Sequence, residues 1–205
     1  RTQAQERAVS LNENVIPMKT HSYFGEDCGH PIFSMKATFG AVYILRDPRD
    51  VAVSAADHFG KTLDEMIAMM ADPLATGMPM PGIIVHEMQS SWSNHVESWT
   101  KWNHPGIFVV RYEDLLADPL DQFSRVARHF GISTSKARIA KAVEFSSFKQ
   151  LQKQETEQGF VERSVHSEKF FRAGRSGGWR DKLTAEQVAR IEGDHATQMK
   201  RYGYL

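Results

Sequence analysis

Two continuously apolar stretches read as strands: Ala41-Val42-Tyr43-Ile44-Leu45 and Ile107-Phe108-Val109-Val110. Uninterrupted runs of that length predict strands of a parallel sheet covered on both faces. Elsewhere apolar residues recur every three to four positions, the period of a helix that turns one face to a core. Residues 48–59 place Val51, Ala55 and Phe59 on one stripe, with Ser54 off to its side. Trp92, Val96 and Trp99 form a second stripe, and Leu120, Phe123, Ala127 and Phe130 a third. Val188, Ile191, Met199 and Tyr202 form a fourth.

The ends of these segments carry their own signals. Asp47 is a side-chain cap, Pro48 a good first helical residue and Asp50 an acidic first-turn residue. Asp118-Pro119 opens another helix and Gly131 closes it; a further helix runs from about Ser135 into the 140s. Thr184 with Gln187 three residues on is a capping box. Val15–Met18 reads as a short strand despite Pro17, and residues 1–14 carry no pattern. Gly25, Gly29, Pro31 and Gly40 make residues 22–40 irregular. The segment 63–88 holds six methionines, including Met78 and Met80, and reads equally as a mobile cover or as helix packing. Strands alternating with helices predict an α/β fold on a parallel sheet, with residues 1–205 as one domain. No repeat, linker or low-complexity tract interrupts it.

Charge narrows the classes of partner. Lysine plus arginine equals aspartate plus glutamate at 25 each, which argues against duplex nucleic acid, a partner that needs a basic surplus. A local cluster of cations for a small anion is not excluded. The single cysteine, Cys28, cannot form an intramolecular disulfide and fits a reducing, cytoplasmic compartment. No apolar run reaches the length of a membrane span. Cys28-Gly29-His30 lacks the further ligands a metal would need.

The candidate chemistry lies where the first apolar run stops. In open α/β sheets ligands sit beyond the carboxyl ends of strands, against helix N-termini. Arg46 and Ser54 fall there, offering a planar fork of donors and a hydroxyl suited to phosphate. A second segment, Phe171-Arg172-Ala173-Gly174-Arg175-Ser176-Gly177-Gly178-Trp179-Arg180-Asp181-Lys182, mixes four cations with three glycines, a donor-rich anion cradle. Its Gly174-Arg175-Ser176-Gly177-Gly178 formally fits the serine-hydrolase elbow, but no core strand precedes the serine and no helix begins until Thr184.

Ala41–Ser54, with its Arg-Asp-Pro and Asp-Val-Ala-Val-Ser, resembles the nucleotide 3′-phosphate segment of the sulfotransferases that use 3′-phosphoadenosine-5′-phosphosulfate (PAPS). Lys19-Thr20-His21, Arg111-Tyr112-Glu113-Asp114, Ser146-Ser147-Phe148 and the 171–180 loop match four further segments of that family in order. The loop departs at two places: Ala173 stands where the family has lysine and Gly178 where it has aspartate. The resemblance implies a P-loop NTPase-like, three-layer α/β/α fold with a central parallel sheet. It implies transfer of a sulfuryl group from PAPS to a hydroxyl or amine of a small molecule, leaving adenosine 3′,5′-bisphosphate (PAP), with no metal. His21 would be the general base and Lys19 would stabilise charge. Arg46, Ser54, Arg172 and the backbone at Ala173 and Gly174 would hold the 3′-phosphate, and Tyr112, Ser146 and Phe148 would line the adenine.

The family's Gly-rich lysine loop, which follows its first strand, does not occur in residues 1–40, so a preceding N-terminal strand and loop are expected outside the sequence shown. A P-loop kinase of a small molecule and a non-catalytic nucleotide-binding module are the alternatives. No nucleic acid or membrane partner is expected. Arg180, Thr184, Ala185 and Ala189 match the family's dimer motif only partly, which leaves monomer and homodimer open.

Overall fold

The computed structural model describes residues 1–12, 14–77, 86–101 and 106–205. In chain order they form α1 (Thr2–Ser10), β1 (Glu26–Asp27), β2 (His30–Pro31), β3 (Ala41–Leu45), α2 (Pro48–Phe59) and α3 (Leu63–Ala71). There follow β4 (Thr76–Gly77), β5 (Glu87–Met88), α4 (Trp92–Thr100), β6 (Ile107–Arg111), α5 (Tyr112–Ala117) and α6 (Pro119–His129). The remainder is α7 (Lys136–Phe145), α8 (Phe148–Gln158), a 3-10 turn at Gly178–Asp181 and α9 (Ala185–Arg201).

The two apolar runs are β3 and β6, and they pair in parallel, from Ala41 opposite Ile107 to Leu45 opposite Arg111. Side chains on a strand alternate between faces. Tyr43 stacks on Trp99 of α4 at 5.8 Å, and Leu45 is 1% exposed in a core built with Ala52, Met66, Ile67, Val96, Ile191 and Met199. On the opposite face Phe108 meets His129 of α6 at 5.3 Å. Helices thus lie on both faces, the layer order of an α/β fold. Coverage is uneven, however. Val42 is 40% and Ile44 57% exposed, so this apolar face of β3, expected to be covered, is open. Among the described residues the parallel sheet has these two strands.

Helix ends follow the local chemistry. Asp47 accepts the Arg49 N–H, Pro48 is the first residue of α2, and Gly60 ends it in the left-handed region at φ 62°. Asp118 caps α6, Ser135 caps α7, and Thr184 with Gln187 forms the capping box of α9. Other expectations are corrected. Val15–Met18 is not a strand: no partner strand runs beside it among the described residues, Pro17 removes a donor, and Val15 and Met18 lie in solvent. On α2 the buried apolar side chains beyond Pro48 are Ala52 and Ala56, while Phe59 is exposed. The helix is rotated because Arg49 and Asp50 of its first turn are themselves buried and bonded. Leu120 at the start of α6 is exposed while Gln122 is buried.

Helix α3, opened by a capping box at Thr62 and Glu65, buries Met66 and Met70, so this part of the methionine segment is core. Met78 and Met80 lie outside the described residues. Helices α1 and α8 carry no apolar stripe and were not anticipated; α1 is held by Gln5 and Glu6, which bond Ile32 and Ser34.

Candidate functional site

The register of the sheet builds the centre of the site. Leu45 is opposite Arg111, so the next residues, Arg46 and Tyr112, emerge side by side at the carboxyl ends of the strands. The Arg46 guanidinium sits over the Tyr112 ring, 4.5 Å from its centroid. Its Nη2 donates to the carbonyl of Arg175 at 3.2 Å, which ties it to the glycine-rich loop. Its Nε is buried without a partner. A buried donor left unsatisfied costs about 1–3 kcal/mol, and an anionic oxygen is the group that best removes that cost.

Five side chains hold the loop and the residues leading into it. Asp50, 3% exposed in the first turn of α2, accepts the Gly177 N–H at 2.6 Å, the Trp179 N–H at 3.1 Å and the Ser176 hydroxyl at 3.3 Å. Arg49 lies over the Trp179 ring at 4.2 Å. It also donates to Asp47, to Glu192 of α9 at 2.6 Å and to the Tyr204 carbonyl. Gly174, at φ 57°, packs so closely on the Phe148 ring that a Cβ there would collide with it. Glu155 and Gln152 of α8 bond the backbone of residues 170 and 171. Gly178, where the family pattern has aspartate, lies close to the Asp50 carboxylate, which already occupies the surrounding N–H groups.

Three further predicted residues, Arg172, Lys19 and His21, lie near the far end of α2. Arg172 pairs with Asp57 at 3.0 Å, three residues beyond Ser54, and Asp57 also accepts the Ser167 hydroxyl. Lys19 is ion-paired with Glu162. The His21 side chain is exposed, and its peptide is gripped at both ends: the N–H donates to Glu87 at 2.7 Å and the carbonyl faces His95 Nε2 at 3.2 Å. His95 Nδ1 lies 3.0 Å from the Tyr43 hydroxyl. Burial lowers the His95 pKa to about 4, against weaker opposing contributions from its neighbours, so this imidazole is neutral at pH 7. His58, in the last turn of α2, is lowered first by burial and then by the charge of His21, with Glu162 and Lys19 also acting on it. Those four side chains therefore share one neighbourhood.

The structure thus brings together Arg46, Tyr112, Phe148, Gly174 and the loop around them. Lys19 and His21 form a second group beside His58. Ser146 does not join the first group through its hydroxyl, which bonds back to the Ala142 carbonyl at 2.8 Å in the last turn of α7. Ser54 is half-buried on α2, and Ala173 is exposed in the loop. Sequence reasoning missed Asp50, Arg49, Glu155 and His95. The first two lie inside the quoted motif, but they look like ordinary first-turn residues until the loop is seen resting on them.

A model of the sulfotransferase domain family matches residues 5–203, nearly the whole chain. The chain belongs to the sulfotransferase family. It is 28% identical to cytosolic sulfotransferase 17 of Arabidopsis thaliana over 179 residues, which cover 80% of this chain and 50% of that protein. It is also 28% identical to sulfotransferase 1A1 of Bos taurus over 164 residues, covering 77% and 54%. The chain spans about half the length of these relatives. Among solved structures it superposes on mouse sulfotransferase SULT7A1 complexed with PAP with a TM-score of 0.63, at 19% identity, covering 83% of this chain and 62% of that one. Retinol dehydratase in complex with androsterone and inactive cofactor PAP gives 0.61 at 24% identity, covering 78% and 47%. The sulfotransferase domain described here therefore has the P-loop NTPase-like α/β fold of those structures. No helix among its described residues is long and apolar enough to cross a membrane.

Proposed function

We propose that this sulfotransferase domain is part of an enzyme that moves a sulfuryl group from PAPS to a hydroxyl or amine of a small molecule. The observation that carries this reading is the Arg46 guanidinium, set over Tyr112, tied to the 172–175 loop and holding one buried N–H without an acceptor. That arrangement fits a phosphate beside an aromatic base, the 3′-end of the donor. Relatives of both kinds, those named as cytosolic sulfotransferases and those solved with PAP, support it. A cytoplasmic location accords with the same relatives and with the lone cysteine. The partner is a small acceptor, and the protein acts as a monomer or homodimer.

The donor supplies an activated sulfuryl group and leaves as PAP. Arg46, Ser54, Arg172 and the backbone at Ala173 and Gly174 hold the 3′-phosphate, while Tyr112 and Phe148 flank the adenine and Ser146 lies at its outer edge. The 3′-phosphate is remote from the reacting bond, so its binding energy serves positioning. Arg172 is ion-paired with Asp57 at the surface, a contact worth at most about 1 kcal/mol, so the guanidinium can exchange to a phosphate at little cost. Lys19, likewise exposed beside Glu162, is free to turn toward negative charge on the transferred group. His21, its peptide fixed by Glu87 and His95 and its ring open to solvent, accepts the proton from the acceptor.

Transfer of radiolabelled sulfate from PAPS to a panel of phenols, sugars and amines tests the reading. The expected result is labelled acceptor with the parent chain. His21→Ala should abolish turnover while PAP binding persists. Turnover that survives this change removes His21 as the base. PAP binding with no transfer to any acceptor would favour a nucleotide-binding module, and phosphoryl transfer from ATP would favour a kinase.

A further inference from the structure

Helix α8 presents one face to the stretch of chain that leads into the phosphate loop. Phe148, Gln152 and Glu155, spaced by four and three residues, lie on one side of the helix. Phe148 takes Gly174 on its ring and meets Phe171 edge-on at 6.4 Å. Gln152 Nε2 donates to the Phe171 carbonyl at 3.0 Å. Glu155 accepts two backbone N–H groups, Phe170 on Oε1 at 2.6 Å and Phe171 on Oε2 at 3.0 Å. Glu155 is 6% exposed and is the buried residue of its helix. Burial opposes its charged form, but the two N–H donors, with Arg163 and Lys169 nearby, hold its carboxyl below the usual range.

An isolated buried carboxylate is costly, and a long polar helix has no packing need for one. Glu155 uses its charge to fix the two peptides immediately before Arg172. On the other side of Arg172 and Gly174, the carboxylate of Asp50 fixes Gly177 and Trp179. Residues 172–175 are thus suspended between two carboxylates, one on α2 and one on α8.

We propose that Glu155 is a positioning residue for the nucleotide's 3′-phosphate: by clamping the Phe170 and Phe171 peptides it sets where Arg172 and Gly174 enter the loop whose Arg175 carbonyl Arg46 bonds. Because Phe148 begins the same helix, α8 couples the base platform to the phosphate loop as one body. The inference rests on the reading of this loop as the 3′-phosphate cradle given under the proposed function, and it adds a specific consequence. Glu155 should affect affinity for nucleotides that carry a 3′-phosphate and leave the others untouched.

The test compares binding of adenosine 3′,5′-bisphosphate and adenosine 5′-monophosphate by calorimetry, for the parent chain and for Glu155→Gln. The amide keeps the shape but turns one acceptor into a donor facing an N–H. The expected result is a loss of roughly tenfold to hundredfold in affinity for the bisphosphate and less than twofold for the monophosphate. Glu155→Asp, which keeps the charge but shortens the reach, should restore part of the loss. A parent chain that binds both nucleotides equally would overturn the cradle reading and this inference with it. A parent that discriminates, with a Glu155→Gln variant keeping the same ratio of affinities or losing both equally, would overturn this inference alone. Should Glu155→Gln fail to fold by circular dichroism, Gln152→Met removes only the bond to the Phe171 carbonyl. It should cost a few-fold for the bisphosphate alone, and an unchanged ratio would again refute the assignment.

Discussion

Acid should destabilise this fold through His95 in a way that can be isolated. The imidazole lies between the Tyr43 hydroxyl and the His21 carbonyl, with its ring stacked on Tyr43 at 5.6 Å. Burial moves its pKa from 6.5 in the unfolded chain to about 4 in the folded protein, with the His21 charge acting in the same direction and Glu87 opposing it. Between those two values the unfolded chain binds the proton and the folded protein does not. The unfolded state then holds more protons, so stability rises with pH. The His95 contribution is complete above pH 6.5, is lost as pH falls from 6.5 toward 4, and changes no further below that. At about 1.4 kcal/mol per unit of pH the loss amounts to about 3 kcal/mol, a large part of the margin of a typical domain. Urea unfolding of the parent and of His95→Gln, at intervals from pH 7.5 to pH 4, gives the difference in stability at each pH. His58 and His195 also have lowered pKa values through burial, but they are common to both proteins and cancel. The parent's advantage should shrink by about 3 kcal/mol across the interval. A difference that stays flat would refute the argument, because it would mean that His95 is protonated in the folded protein as readily as in the unfolded one.

Other perturbations follow from the same contacts. Asp50→Asn replaces a carboxylate that accepts from Gly177, Trp179 and Ser176; it should weaken binding of adenosine 3′,5′-bisphosphate about tenfold and raise proteolytic cleavage within residues 171–180, both readable by calorimetry and limited trypsinolysis. Gly174→Ala puts a side chain against Phe148 at a positive φ, so bisphosphate binding should be lost with the melting temperature changed by only a few degrees. Ile191→Ala, at a fully buried position of α9, should lower unfolding free energy by about 2–5 kcal/mol in denaturant titration. Arg49→Met leaves Asp47 and Glu192 without their shared cation and should cost about 3–5 kcal/mol by the same measurement.

What could be read from the chain alone was whatever depends on near neighbours. The two apolar runs specified the paired strands β3 and β6, and Asp47-Pro48, Asp118-Pro119 and Thr184 with Gln187 marked helix starts, because capping is settled within four residues. The order of motifs around Arg46, Tyr112, Phe148 and Arg172 marked the candidate site, because the ends of parallel strands converge wherever the sheet places them. Helix α8 escaped notice because its only deeply buried side chain is a glutamate, whose partners lie 15 and 16 residues away. The rotation of α2 was equally hidden. Nothing local marks Arg49 and Asp50 as buried, and their burial is decided by Glu192, Tyr204, Gly177 and Trp179, more than 120 positions downstream. Val15–Met18 failed as a strand for the complementary reason: its pattern permits pairing, but pairing requires a second strand alongside. Sequence determined the two paired strands, the capped helix starts and the chemistry at their ends. Only the tertiary structure decided which charges are sheltered from water, because desolvation and long-range hydrogen bonds depend on what packs against a residue, and the residues that do so here are distant along the chain.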